Sequence, residues 1–188
     1  MKNLNIKIIL VAIGLLAITN LKVGSQRTTQ DTTKDVRNVS SDTQQTELGV
    51  GQIAPDFSFK TVDEQLVTLS SFKGQPVLFS FALTIGCAAC IIEAGNVREA
   101  QTQVPFKVIQ LSISPYETPE DLLLFRKIYG ASDWLIGFDK DERIAKQYQV
   151  RAVDTTLLVD AQGKIIYRDD GIPAETEDIV NILKKSQR

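Results

Sequence analysis

Two cysteines set between a strand pattern and a helix pattern constrain the fold of this chain most. Residues 77–83 (VLFSFAL) are apolar enough for a central strand that is buried on both faces. After that strand, Cys90, Ala94 and Val97 recur at i, i+4 and i+7, the spacing of one buried helix face. The helix is predicted to open at Cys87. Cys87 is therefore expected at the helix N-terminus, and Cys90 one turn later, pointing toward the core.

This placement suits the two thiols to different chemical tasks. The helix dipole and the unpaired N–H groups of the first turn favour a thiolate, so they lower the pKa of the Cys87 thiol. Cys90 can then attack a mixed disulfide formed at Cys87. An attacking thiol and a resolving thiol are what dithiol–disulfide exchange requires. The same spacing is also compatible with a structural disulfide, or with two buried thiols, that takes part in no turnover.

The absence of histidine from the 188 residues excludes several classes of site. Neither Ser-His-Asp nor Cys-His catalysis is available within the chain, and a structural zinc ion would lack half of its ligands. The formal net charge of −2 gives no electrostatic footprint for nucleic acid, so no nucleic-acid partner is expected. Thiolate exchange carries its own nucleophile, so we expect no metal and no cofactor besides the Cys87–Cys90 pair.

The N-terminal segment has the composition of an export signal. Residues 8–18 form an uninterrupted apolar run that follows two lysines, which is typical of a signal-peptide core. Residues 1–24 are predicted to be a signal peptide or, if uncleaved, a signal anchor that tethers the chain to a membrane through residues 8–21. The chain is therefore expected outside the cytoplasm, in the periplasm or at the outer face of the cytoplasmic membrane.

The folded domain is predicted to follow a polar linker. Residues 25–48 offer almost nothing to bury and are expected to be disordered, which leaves 49–188 as the domain. Short strand patterns alternate there with helix patterns, which indicates an α/β domain: a central mixed sheet flanked by helices, with a β-hairpin before it. The predicted strands are 56–61, 65–69, 77–83, 106–113, 155–159 and 164–167. Four helices are predicted: two begin at residues 87 and 118, and two span residues 141–148 and 174–185.

Several segments resemble the TlpA/ResA-like branch of the thioredoxin-fold, or redoxin, proteins. The likeness lies in residues 51–57 (GQIAPDF), 67–78 (VTLSSFKGQPVL) and 155–165 (TTLLVDAQGKI), and in the Cys-x-x-Cys-x-x-Glu of residues 87–93. The resemblance implies a thioredoxin-like fold and a thiol–disulfide oxidoreductase that acts on disulfide-containing proteins outside the cytoplasm, often in cytochrome c biogenesis. It also implies that a membrane protein with a dithiol donates the electrons.

One departure from that family falls at its substrate-binding loop. The family's cis-proline, which faces the dithiol and helps to bind the substrate peptide, aligns with Asp154. By this alignment Val153, Asp154 and Thr155 are expected to contact the substrate. A cis bond before a residue other than proline costs about 3–4 kcal/mol, so the bond before Asp154 is expected to be trans. The Asp154 carboxylate either faces Cys87, where it would oppose thiolate formation, or points to solvent.

Two related groups share other parts of the sequence. Residues 111–115 (LSISP) and 118–120 (TPE) resemble the SCO group of copper and cytochrome oxidase assembly factors, which bind copper with two cysteines and a histidine that this chain lacks. Residues 84–87 (TIGC) resemble the Thr-x-x-Cys of peroxiredoxins, which would make the chain a thiol peroxidase. A binding module that keeps the fold without turnover is a further alternative.

Overall fold

The computed structural model describes residues 48–187, which lie within one unit of the chain, Gln44–Arg188. The expected signal segment (1–24), the expected tether (8–21) and the expected linker up to residue 47 lie outside the described residues. Within residues 48–187, no helix is both long enough and apolar enough to cross a bilayer.

The described chain alternates strands and helices in the order that the sequence predicts, with one additional strand. In chain order the elements are β1 (Ser58–Lys60), β2 (Leu66–Thr68), β3 (Val77–Ala82), α1 (Ala88–Gln103), β4 (Lys107–Ser112), α2 (Pro119–Ile128), β5 (Leu135–Phe138), α3 (Arg143–Gln147), β6 (Thr155–Val159), β7 (Ile165–Asp170) and α4 (Thr176–Ser186). A short 3-10 turn, Leu69–Phe72, follows β2.

The central sheet has five strands in the order β5-β4-β3-β6-β7. β3 lies in the middle, parallel to β4 and antiparallel to β6, and all six of its residues are buried. α1 connects the parallel strands β3 and β4, because parallel neighbours need a crossover connection, which is usually a helix. The carboxyl end of the most buried strand therefore leads directly to the helix that carries the cysteines.

The side chains of β3 alternate between two cores, one on each face of the sheet. Leu78 packs on one face with residues of α1, α2 and α4. Phe79 and Phe81 pack on the other face with Phe57 and Tyr148, and the Phe79 ring centroid lies 5.0 Å from that of Tyr148. α3 contributes to this second core through Ile144 and Ala145. The predicted mixed sheet with helices on both faces is confirmed.

The N-terminal hairpin predicted around Asp63-Glu64 is also confirmed, as a separate two-stranded antiparallel sheet of β1 and β2. It contacts the edge of the central sheet at Gly137 of β5, which bridges to Thr61. A Cβ atom at Gly137 would lie 2.4 Å from the carbonyl oxygen of Lys60, so this approach requires glycine.

Most predicted bounds move by up to three residues, and the largest shift is that of β7, which ends at Asp170 rather than at residue 167. Two further differences have a structural reason. The strand β5 was not predicted; it adds to the open edge of β4. α3 begins at Arg143 rather than at residue 141. The reason is the Asp139 carboxylate, which accepts the N–H groups of Ile144 (3.0 Å) and Ala145 (2.7 Å) and so caps the first turn, although Asp139 is not the N-cap residue. Glu142 just before it has a left-handed backbone, with φ at 54°.

Candidate redox site

The two cysteines are joined in a disulfide at the N-terminus of α1, at the carboxyl end of β3. Cys87 is the N-cap residue, and its sulfur accepts the backbone N–H of Cys90 at 3.1 Å. A sulfur at an N-cap is held next to the unpaired N–H groups of the first turn, where a negative charge is stabilised. The predicted start of the helix is thus confirmed, and the geometry favours a thiolate at Cys87.

The two sulfurs differ in their access to solvent. Cys87 is half-buried, whereas Cys90 is 3 % exposed and lies on the buried face of α1 with Ala94 and Val97. Of the two sulfurs, that of Cys87 therefore belongs to the residue with more exposure to solvent.

Exposed apolar residues lie in loops at the edge of the sheet where Cys87 is placed. Ile85 precedes Cys87 in the same loop, and Tyr116 belongs to the loop between β4 and α2, with 90 % of its surface exposed. Val153 and Ile172 lie in the two loops at the adjoining ends of β6 and β7, which are joined by a hydrogen bond from Gly171 N–H to the Asp154 carbonyl oxygen (3.2 Å). Exposed apolar groups on one edge of a fold are typical of surfaces that contact another protein.

A buried glutamate that sequence reasoning missed holds the loop before Cys87. Glu117 accepts the N–H groups of Thr84 (2.6 Å) and Ile85 (2.9 Å) with one carboxylate oxygen, and the Ser112 hydroxyl (2.5 Å) with the other. The loop after β3 is thereby tied to the loop after β4. The sequence carries no signal for this role, since an acidic residue just before a helix N-cap is ordinarily a solvent-exposed one.

The inner side of the disulfide faces a small cavity between α1 and the sheet. The residues that line it include Cys90, Glu93, Asp154 and Trp134. The Glu93 carboxylate accepts the Thr156 hydroxyl with one oxygen and the Ala174 N–H (3.1 Å) with the other. Burial, and after it the nearby Asp154 carboxylate, raises the pKa of Glu93 to about 7, although both hydrogen bonds act in the opposite direction.

The side chain of Asp154 is buried. Its side chain is 1 % exposed, which excludes the alternative that it points to solvent, and it lines the cavity on the side of Cys90 rather than the exposed side of Cys87. Its backbone has a φ of 68°, and its N–H donates to the Phe81 carbonyl oxygen at 2.9 Å. Burial, and then the Asp169 carboxylate, raises the pKa of Asp154 to about 6.

The three residues expected to contact substrate are therefore not equivalent. Asp154 and Thr155 are buried, with Thr155 donating its hydroxyl to the Ala152 carbonyl oxygen at 2.7 Å, so only the side chain of Val153 is exposed. The bond before Asp154 is trans, as expected, and residues 48–187 contain no cis peptide bond. The loop at residues 153–155 therefore differs in shape from a cis-proline turn, and the Asp154 carboxylate lines the cavity between α1 and the sheet.

The site offers few ligands for a metal ion. In the part of the chain that the structure describes, no group of three or more histidine, cysteine, aspartate or glutamate residues is placed to hold one. The residues around the disulfide are suited to thiol chemistry: an N-capping sulfur outside, a second sulfur inside, and two buried carboxyl groups behind it.

The chain is similar to known redox proteins along most of its length. The sequence profile of the AhpC/TSA family matches residues 50–168. A thiol-disulfide oxidoreductase ResA of Bacillus thuringiensis is 27 % identical over 144 residues, which cover 76 % of this chain and 82 % of the relative. Peroxiredoxin Bcp of Escherichia coli is 28 % identical over 152 residues, covering 73 % of this chain and 97 % of the relative.

A solved structure shows the same fold. The thioredoxin domain of a thiol-disulfide oxidoreductase from Bacteroides vulgatus superimposes with a TM-score of 0.62 at 22 % identity, covering 73 % of this chain and 97 % of that domain. The expected thioredoxin-like fold is confirmed, and so is the expected membership of the redoxin group. The chain belongs to the AhpC/TSA family and is an oxidoreductase with a thioredoxin-like fold.

Proposed function

We propose that this protein is an extracytoplasmic thiol–disulfide oxidoreductase, with Cys87 as the nucleophile and Cys90 as the resolving thiol. The observation that carries the proposal is the unequal placement of the two sulfurs. Cys87 is an accessible N-cap at the end of the central strand, and Cys90 is buried one turn further along α1. The similarity to ResA supports disulfide exchange as the reaction.

The reaction follows from this placement. The Cys87 thiolate of the reduced protein attacks one sulfur of a substrate disulfide, forms a mixed disulfide and releases the other substrate sulfur as a thiolate. Cys90 then loses its proton and attacks the Cys87 sulfur. This second step releases the remaining substrate sulfur and leaves the Cys87–Cys90 disulfide, so two electrons pass to the substrate. Attack by a donor dithiol on Cys87 reverses the sequence and restores the reduced protein.

The substrates are proteins that present a disulfide on an exposed segment. The exposed apolar residues in the loops at this edge of the sheet support this class, because an apolar surface gains more from contact with a polypeptide than with a small polar thiol; they are Ile85, Tyr116, Val153 and Ile172. The electrons come from a membrane protein with a dithiol, and no cofactor besides the cysteine pair takes part. Residues 8–21 hold the chain at the membrane, where that donor lies.

The proposal is tested by reduction of insulin with the purified reduced protein. Wild type is expected to precipitate insulin chains, whereas Cys87→Ser abolishes the reaction. Cys90→Ser is expected to accumulate a mixed disulfide between Cys87 and the substrate, which mass spectrometry of non-reduced samples detects. Undiminished activity in both variants would contradict the proposal. Tight binding of Cu(I) by a protein without insulin reductase activity would instead favour a copper assembly factor.

Thiol peroxidase activity is a second candidate, because one observation favours it. The hydroxyl of Thr84, three residues before Cys87, is buried and has no hydrogen-bond partner among the described residues. The similarity to peroxiredoxin Bcp supports the same chemistry. Consumption of hydrogen peroxide by the reduced protein measures it. We expect peroxide consumption to be slow relative to insulin reduction, since the Thr84 hydroxyl is buried.

A further inference from the structure

A buried arginine on β7 ties several segments of the backbone together. The Arg168 side chain is 8 % exposed, and each of its five N–H groups donates a hydrogen bond within the described residues. Three of these bonds go to backbone carbonyl oxygens, and the other two hold both oxygens of the Asp170 carboxylate (2.9 and 3.1 Å). A buried guanidinium with every donor in use fixes its partners, because a partner that moves away leaves a donor unpaired.

Two of the carbonyl oxygens lie where the loop between α3 and β6, residues 149–154, begins. Arg168 donates to the carbonyl oxygens of Tyr148 (2.8 Å) and Gln149 (3.2 Å). The third carbonyl, that of Leu48 (2.9 Å), brings the segment before the hairpin to the same point. Gln149 has a φ of 54°, which residues other than glycine seldom adopt, so these bonds hold a turn that the sequence alone disfavours.

The end of the same loop is held through Asp170. The Thr155 hydroxyl, which donates to the Ala152 carbonyl oxygen, lies 3.1 Å from the Asp170 carboxylate. The next residue, Gly171, donates its N–H to Asp154, and a Cβ atom at Gly171 would lie 3.3 Å from that of Ala152. Arg168 therefore holds the loop 149–154 directly where it begins and through Asp170 where it ends.

This loop lies at the edge of the sheet where Cys87 is placed. The loop precedes β6, whose first residue, Thr155, pairs with Phe81 near the end of β3. Val153 is the exposed residue of the three expected to contact substrate. Because the loop has no proline to restrict it, side-chain contacts must supply its rigidity. A loop held in one conformation binds a polypeptide at a smaller loss of conformational entropy.

We propose that Arg168 is a positioning residue for substrate binding, which holds residues 149–154 in the conformation that presents Val153 to a polypeptide disulfide. The proposal rests on the proposed function and deepens it. Arg168 acts through the loop and takes no part in the sulfur chemistry. A disulfide that makes no contact with the loop therefore reacts without its help.

The substitution Arg168→Lys keeps the positive charge and removes the planar fork. A lysine offers three donors on one nitrogen, so it cannot hold the carbonyl oxygens and both carboxylate oxygens together. Arg126→Lys is the matched control, because Arg126 also holds both carboxylate oxygens of one acid, Asp63, but joins α2 to the N-terminal hairpin. Asp170→Asn loosens the end of the loop alone and is the second variant if Arg168→Lys does not fold.

Two substrates that release the same coloured aromatic thiolate separate substrate binding from sulfur chemistry. One is the small symmetrical aromatic disulfide, and the other is a short peptide whose single cysteine, flanked by apolar residues, is disulfide-bonded to the same aromatic thiol. Each reduced protein, in excess and at several concentrations, reacts with each substrate in a single turnover. The half-saturation concentration reports binding, and the maximal rate reports the attack by Cys87.

We expect Arg168→Lys to raise the half-saturation concentration for the peptide about tenfold, with the maximal rate and the rate with the small disulfide within about twofold of wild type. Asp170→Asn is expected to raise the half-saturation concentration about threefold, and Arg126→Lys to match wild type. Amide hydrogen exchange of residues 149–154 is expected to quicken in Arg168→Lys and not in Arg126→Lys.

The outcomes distinguish this proposal from the proposed function. Wild-type half-saturation for the peptide in both Arg168→Lys and Asp170→Asn would overturn the proposal, as would an equal loss of rate with the peptide and the small disulfide. A wild-type protein that reacts with neither substrate would instead contradict Cys87 as the nucleophile.

Discussion

The two sides of the Cys87–Cys90 disulfide differ in the exposure and the charge of the residues that lie there. On the outer side, Cys87 caps α1, and exposed apolar residues such as Ile85 and Tyr116 lie in loops at the same edge of the sheet. On the inner side, Cys90 adjoins a cavity lined by the buried acids Glu93 and Asp154. The outer side stabilises a negative charge on sulfur, whereas the inner side disfavours a second negative charge and favours bound protons.

One helix end can thus place two chemically identical side chains in different environments. The first turn of α1 places Cys90 on the buried face of the helix, and only two residues lie between the two cysteines. In the proposed reaction, the incoming disulfide reacts with the thiolate of Cys87. Cys90 stays a thiol until the mixed disulfide has formed.

The largest loss of stability is expected when the Glu117 carboxylate, which holds the loop before Cys87, is removed. Glu117→Ala leaves three donors without an acceptor, the N–H groups of Thr84 and Ile85 and the hydroxyl of Ser112. Since each lost bond to a buried charged group costs about 1–3 kcal/mol, we expect the free energy of unfolding to fall by on the order of 4 kcal/mol. Urea denaturation of the oxidised protein measures this loss.

Glu117→Gln is the control for that loss. The amide oxygen can still accept both N–H groups and the amide nitrogen can donate to Ser112, so the expected change in stability is within about 1 kcal/mol. Equal stability of the alanine variant and wild type would show that the hydrogen bonds of Glu117 do not hold the Cys87 loop.

A smaller loss of stability is expected from Asp154→Pro, although proline is the residue that the resembling family carries here. The ring fixes φ near about −65°, whereas residue 154 has a φ of 68°, and proline lacks the N–H that donates to Phe81. We expect a loss of about 3 kcal/mol in the free energy of unfolding. A variant as stable as wild type would mean that the loop readily takes the family's cis turn.

The smallest effect concerns the pH dependence of stability on the inner side. The pKa of Glu93 is raised from 4.5 to about 7, so the folded state binds its proton more tightly than the unfolded chain does. Its contribution is complete below about pH 4.5 and is lost as the pH rises through about 7. Between about pH 5 and about pH 8 we expect the titration of Glu93 to lower the free energy of unfolding of wild type by about 2 kcal/mol.

Glu93→Gln is expected to remove most of that dependence, because the amide keeps the bonds to Thr156 and Ala174 without titrating. Urea denaturation at several pH values compares the two oxidised proteins. Parallel pH profiles would place the titrating group elsewhere in the molecule.

The parts of the fold with strong local patterns were predictable from the sequence. The apolar run of β3 and the hairpin of β6 and β7 are confirmed. The N-cap Thr118 of α2, with proline next to it, is confirmed as well, and it forms a capping box with Asp121. β5 was missed because it has only four residues, one of them glycine, and its glycine is required by contact with Lys60, which is distant in sequence.

The outer side of the site was predictable, and the inner side was not. The spacing of Cys87 and Cys90 relative to a strand and a helix decides which thiol is exposed. The roles of Glu117 and Asp154 depend on contacts between loops that are far apart in sequence. Glu117 reaches residues 84 and 85 across more than 30 positions, and neither its identity nor its neighbours indicate that it is buried.

The most direct test of the different tasks of the two thiols is alkylation of the reduced protein. Brief exposure to iodoacetamide over a range of pH, followed by peptide mass mapping, gives a separate rate for each cysteine. We expect Cys87 to be labelled first, with a thiol pKa below the ordinary value of about 8.5, and Cys90 to react at least about 100-fold more slowly. Labelling of Cys90 first, or of both cysteines at one rate, would contradict the account.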